Sequence, residues 1–168
     1  MERIRLSGIA QQSTVNGYGL RKVFFSQGCS HHCKNCFNPE TWSFTGGKEF
    51  YIDDLVQQVL KEKYLNGVTF SGGDPFQQPE AFAQLAISLK KHDINIWAYT
   101  GYTYEELMTL SKTNIYIKQI LANIDVLIDG KYTEELANSQ LKYRGSSNQR
   151  IIDVPKSLEL NTPQILNY

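Results

Sequence analysis

The sequence points to an α/β architecture in which parallel βα units close only part of a barrel. Short apolar runs alternate with helical stripes along the chain, a pattern of parallel sheets rather than of sandwiches. Polar clusters follow every apolar run but the last, and parallel βα units carry their functional loops at that C-terminal edge of the strands. A complete eightfold barrel takes about 250 residues, and this chain has 168.

The elements are read in order. Lys22–Ser26 (KVFFS) is the first strand and runs into a loop holding all three cysteines. Ile52, Leu55, Val56, Val59 and Leu60 keep the i, i+3, i+4, i+7, i+8 stripe of an amphipathic helix. Val68–Phe70 is the next strand and leads into Ser71-Gly72-Gly73, after which Pro79 suits a first helical position and Phe82, Leu85, Ala86 and Leu89 repeat the stripe. Ile94–Tyr99 leads into Thr100-Gly101, and Thr103-x-x-Glu106 reads as a capping box opening a third helix. A fourth helix spans Tyr116 to Asn123, Val126–Ile128 leads into Asp129-Gly130, and Ile151–Val154 is the last strand. No repeat or linker interrupts this run, so residues 1–168 are expected to form one domain that buries about 70% of its unfolded surface.

Composition narrows the function. With 17 basic and 17 acidic residues, the chain lacks the excess that duplex nucleic-acid binding by phosphate contacts requires. Met1 to Gln12 has no apolar core of signal-peptide length, and no run approaches a membrane span. A soluble, cytoplasmic protein is expected.

The cysteines carry the chemistry. They lie as Cys29-x3-Cys33-x2-Cys36, with no fourth anywhere. Thiolates are the soft ligands of zinc and of iron–sulfur clusters, and a [4Fe–4S] cube held by three of them keeps one iron open to a small molecule. His31 and His32, between the first two cysteines, raise a zinc alternative, but zinc sites usually pair their ligands in two separated knuckles. The spacing therefore favours the cluster, with both histidines expected to face solvent. An odd cysteine count argues against disulfides.

Taken together, the cysteine triplet after one strand and Gly72-Gly73-Asp74-Pro75 after the next resemble the radical S-adenosylmethionine (radical SAM) superfamily. Within it, Val15-Asn16-Gly17-x-Gly19, Cys36-Phe37-Asn38, the Trp97–Tyr102 stretch WAYTGY, the Val126–Tyr132 stretch VLIDGKY and the Arg144–Gln149 stretch RGSSNQ resemble the activating proteins of glycyl-radical reductases acting on ribonucleoside triphosphates. The resemblance runs from about residue 10 to about residue 154. It implies an open radical SAM barrel of about five to six βα units. It also implies the chemistry: a reduced cluster held by Cys29, Cys33 and Cys36 passes one electron to S-adenosyl-L-methionine, the C5′–sulfur bond breaks, and the 5′-deoxyadenosyl radical takes hydrogen from a glycine of the anaerobic ribonucleoside-triphosphate reductase. A flavodoxin or ferredoxin is implied as electron donor, and a homodimer or a heterotetramer with the reductase as the assembly.

The resemblance also implies site roles. Gly72 and Gly73 lack a Cβ and allow close approach of a ligand; their carbonyls would accept from the methionine ammonium, with Asp74 adding negative charge. Thr100 is a candidate for the ribose hydroxyls, and Asp129 with Lys131 for the methionine carboxylate; a loop threonine and a surface ion pair are the bland readings. Asn148 would contact the nucleoside or the incoming glycine loop, or else form an Asx turn. Phe37 would stack near the adenine or pack beneath the loop, while Asn35 stands where the superfamily often has an aromatic. Tyr18, Trp42, Phe44 and Tyr102 are expected near the opening, and Trp97 in the core.

Two rivals remain at this level. A ring-contracting deazaguanine synthase would share cluster and cofactor but act on a small molecule, against which RGSSNQ and WAYTGY speak. A non-catalytic iron–sulfur carrier normally uses four cysteines, and a zinc module would be separated by one spectrum.

Overall fold

The computed structural model describes residues 2–168. Seven strands form one sheet: β1 (Arg3–Ser13), β2 (Arg21–Ser26), β3 (Lys48–Tyr51), β4 (Gly67–Gly72), β5 (Ile96–Tyr99), β6 (Val126–Asp129) and β7 (Arg150–Asp153), in the order β3-β1-β2-β4-β5-β6-β7. The helices are α1 (Ile52–Lys61), α2 (Pro79–Lys90), α3 (Tyr104–Ser111), α4 (Ile115–Asn123) and α5 (Val154–Leu160). None among the described residues is long and apolar enough to cross a membrane.

The four strands that precede the expected functional loops, β2, β4, β5 and β6, run parallel. The remaining three do not. β1 pairs antiparallel with both β2 and β3, and β7 pairs antiparallel with β6. This corrects the all-parallel expectation and its count of units: the sheet is mixed and open. The reason is the connections. A parallel neighbour needs a crossover, usually a helix, and between β6 and β7 the chain forms only a short 3-10 turn at Glu134–Leu136. β1 was not anticipated, although Ile4 and Leu6 alternate with exposed Arg3 and half-buried Arg5 as a one-sided strand does. β3 is only four residues long, too short for a legible period.

The helices α1 to α4 keep their predicted places, and α5 was not anticipated. Thr103 accepts from Glu106 N at 3.1 Å, while Glu106 Oε1 accepts from Thr103 N at 3.0 Å, completing the capping box of α3. The strand expected to end at Val154 stops at Asp153, whose side chain caps α5 by accepting from Lys156 N.

Side-chain alternation divides the sheet into two faces. Phe24, Val68, Phe70, Ile96, Ala98 and Leu127 face the helices and pack with Leu55, Val59, Phe82, Leu89 and Ile120 as the main core. The alternate positions turn to the opposite face. There Trp97, Val126, Ile128 and Ile151 gather with Tyr99, Tyr143 and Leu166. Arg21, 1% exposed, closes the floor of this side: it donates to Thr69 Oγ1 and to the carbonyls of Val68 and Tyr18, and lies over the Trp97 ring. Burial pushes its guanidinium down to about 10, against the attraction of Asp125.

Candidate functional site

The cysteine loop leaves the C-terminal end of β2 and is held from both sides. Gly28 N donates to Thr41 O and Cys29 N to Trp42 O, while Gly73 N donates to Ser26 O and Asp74 N to Gly28 O, at 2.6–3.1 Å. His32 and Asn35 take the left-handed conformation, at φ 49° and 56°. Such residues are uncommon outside glycine and costly, and here they curl the eight-residue loop. Its three free thiols line one cavity of about 1070 Å³, together with Gly72, Gly73 and Thr100. That volume matches the upper end of small-molecule sites, about 300–1,000 Å³.

The donor set suits a cluster. Burial pushes the Cys29 thiol up to about 11, although the amides of His31 and His32 pull it down. Cys33 is raised for the same first reason, opposed by the amide of Tyr132. Asn38 N points at Cys36 Sγ from 3.4 Å. A site that penalises bare thiolates yet aims backbone amides at sulfur fits an inserted cation, which deprotonates its thiol ligands outright and whose cluster is tuned by hydrogen bonds to sulfur.

Gly72 and Gly73 line the cavity wall. Gly72 has φ +93°, and a Cβ there would press on the backbone of Phe25 and Ser26; one on Gly73 would run into the Gly28 carbonyl.

Asp74 does not. It is 0% exposed, and its carboxylate accepts from Phe76 N at 3.0 Å, Gly101 N at 2.9 Å, Thr100 Oγ1 at 2.9 and 3.1 Å and His31 Nε2 at 2.7 Å. The carboxylate expected to add negative charge beside the ligand is a buried knot tying three loops. The hydroxyl proton of Thr100 is directed into that knot, and its oxygen accepts from Tyr102 N, so Thr100 lines the cavity without a free donor. His31 is likewise corrected: its side chain is 7% exposed, whereas His32 is exposed.

Asp129 is also turned away from the cavity. At 1% exposure it pairs with Arg150 and accepts from Tyr104 N at 2.8 Å at the head of α3. Lys131 and Asn148 are exposed and off the cavity wall, and Asn148 Nδ2 donates to Lys131 O at 2.8 Å. Asp129 takes Arg150 rather than Lys131 as its ion-pair partner, and the Asn148 side chain bonds across 17 residues rather than closing an Asx turn. Phe37, 70% exposed, lines the cavity with its ring tilted on Tyr132, so it is not a core aromatic. Tyr18 and Phe44 are exposed, Trp42 stacks on His32, and Tyr102 packs edge-on against His31. Trp97 is in the core, 3% exposed.

Two glutamines went unread. Gln77 accepts from Ser30 N at 2.7 Å and donates to Ser30 Oγ and Tyr102 Oη. Gln149 accepts from Gly145 N and donates to Gly130 O, anchoring the RGSSNQ loop to the end of β6. The RGSSNQ stretch marked the second; no local signal marked the first.

The chain matches the family described as 4Fe-4S single cluster domain over residues 15–152. It is 41% identical over 146 residues to a protein of Pasteurella multocida, covering 82% of this chain and 89% of the relative. A protein of Enterobacteria phage T4 is 36% identical over 143 residues, covering 82% and 86%, and one of Escherichia coli K12 is 35% identical over 146 residues, covering 80% and 89%. All three are named anaerobic ribonucleoside-triphosphate reductase-activating protein. With that likeness spanning most of its length and a cysteine cavity at its centre, the chain belongs to the family of anaerobic ribonucleoside-triphosphate reductase-activating proteins.

Proposed function

We propose that this chain activates an anaerobic ribonucleoside-triphosphate reductase by reductive cleavage of S-adenosyl-L-methionine at a [4Fe–4S] cluster. One observation carries the reading: three free thiols, with no fourth cysteine in the chain, line the same cavity as the Gly72-Gly73 turn at the C-terminal edge of four parallel strands. When bound, the cluster supplies the electron that breaks the C5′–sulfur bond, releasing methionine and a 5′-deoxyadenosyl radical that removes a hydrogen atom from a glycine of the reductase.

Cys29, Cys33 and Cys36 hold three corners of the cluster in this reading. The Gly72-Gly73 backbone leaves room beside them for the amino acid end of the nucleotide. Phe37, exposed on the cavity wall, is an aromatic available to the adenine. The chain acts as one domain, a partial barrel of the radical SAM type, in the cytoplasm. A flavodoxin or ferredoxin is its electron donor, and it works as a homodimer or as a heterotetramer with the reductase.

The test is anaerobic co-incubation of the reconstituted, reduced protein with S-adenosyl-L-methionine and the reductase. A glycyl radical signal in the reductase is expected. Its absence beside an intact reduced cluster would overturn the reading in favour of a small-molecule substrate.

A further inference from the structure

The two histidines between Cys29 and Cys33 meet different fates. His32 stacks its ring on Trp42 with centroids 4.3 Å apart. His31 turns inward, and its Nε2 donates to Asp74 Oδ2 at 2.7 Å. Its ring lies on the backbone of Gly101, where an added Cβ would sit 2.5 Å from it, and edge-on to Tyr102. Asp74 takes its other donors from Thr100, Gly101 and Phe76.

A buried carboxylate persists when donors surround it, and Asp74 has several without His31. What the histidine adds is a tie from the cysteine loop to the rest of the cavity wall. The tie joins residues 43 apart in sequence. Ser30 N to Gln77 Oε1 crosses the same gap beside it. Groups that orient metal ligands from outside are as consequential as the ligands' own geometry.

We propose that His31 is a positioning residue. Seated on Asp74, it fixes the Cys29–Cys33 segment against the Gly72–Gly73 turn and the Thr100–Gly101 loop, and so sets the cluster relative to the nucleotide cofactor. This rests on the cluster reading above, and the test separates the two.

In the full-length, cluster-free protein, His31→Ala is expected to speed amide hydrogen exchange across residues 29–33 by about tenfold or more, as loss of a hydrogen bond to a charged group implies. His31→Gln, which keeps a donor at similar reach, is expected to restore protection. Unchanged exchange in His31→Ala would overturn the proposal. In reconstituted protein, His31→Ala is expected to retain iron and sulfide through its three thiols. The apparent affinity for S-adenosyl-L-methionine, read from the change it induces in the electron paramagnetic resonance spectrum of the reduced cluster, is expected to fall about 10- to 100-fold, with rescue in His31→Gln. Wild-type affinity in His31→Ala would overturn the proposal. Gly101→Ala displaces the ring without altering the histidine and is expected to reproduce the His31→Ala spectrum; a wild-type spectrum would count against the proposal. A wild-type chain that takes up no iron, beside faster exchange in His31→Ala, would defeat the cluster reading while upholding the tie between the loops.

Discussion

Arg150 closes on Asp129 where β7 runs back against β6: the two residues are directly opposite in register, and the guanidinium reaches a carboxylate that is 1% exposed. Arg150 also holds Glu105 Oε1 at 2.6 Å, so one side chain joins the sheet edge to the start of α3. The acidic residue that ends β6 serves the fold before it serves any ligand.

Replacing Arg150 with Ala leaves Asp129 buried without its cation. A loss of roughly 2–4 kcal/mol is expected, below the value for a fully enclosed pair because the arginine is one-third exposed. Chemical denaturation of the cluster-free protein measures it. Arg150→Lys should recover only part, since a single ammonium cannot serve both carboxylates as a fork does.

The same arginine sets a pH dependence. Its hydrogen bond holds the Glu105 carboxyl below the usual glutamate range, against a smaller effect of burial. The folded value is depressed, so the stabilisation is complete above the unfolded glutamate value and is lost as pH falls through the folded one. Denaturation midpoints of Glu105→Gln and wild type, followed from neutral to acid pH, should converge as the acid limb is descended.

Anaerobically purified or reconstituted protein should be brown, with about four iron and four sulfide per chain. Cys29→Ser, Cys33→Ser and Cys36→Ser should each lose the cluster while keeping the far-ultraviolet circular dichroism of the wild type. Colourless wild-type protein with stoichiometric zinc would contradict the cubane.

Gly72→Ala places a side chain at φ +93° and against the backbone of β2. About 1–2 kcal/mol of strain is expected from the conformation alone, with further loss as the Phe25–Ser26 backbone shifts. The variant should bind S-adenosyl-L-methionine more weakly even where its iron content is normal, as equilibrium binding would show.

Thr103→Ala removes the N-cap of α3 at a residue that does not line the cavity. It should lower stability by about 1 kcal/mol without changing iron content, which makes it a control for variants that act through the cavity.

What the sequence determined on its own is whatever is encoded over a few residues. The stripe of α1, the proline opening α2, the Thr103–Glu106 box and the parallel strands β2, β4, β5 and β6 were legible because their signals repeat within one or two turns or within one pleat. The cysteine loop and the Gly72-Gly73 turn were legible for the same reason: three thiols within eight positions, and two residues without Cβ, announce themselves locally. The tertiary structure alone decided which polar groups face the cavity. Asp74 and Asp129 lie at the strand ends, as expected of ligand contacts, yet their carboxylates meet His31 across 43 residues and Arg150 across 21. The direction of β7 was settled by a connection without a helix, and the inward turn of His31 by the room beside Gly101. A side chain's neighbours at such separations are fixed by how the sheet stacks its loops, and no periodicity along the chain carries that information.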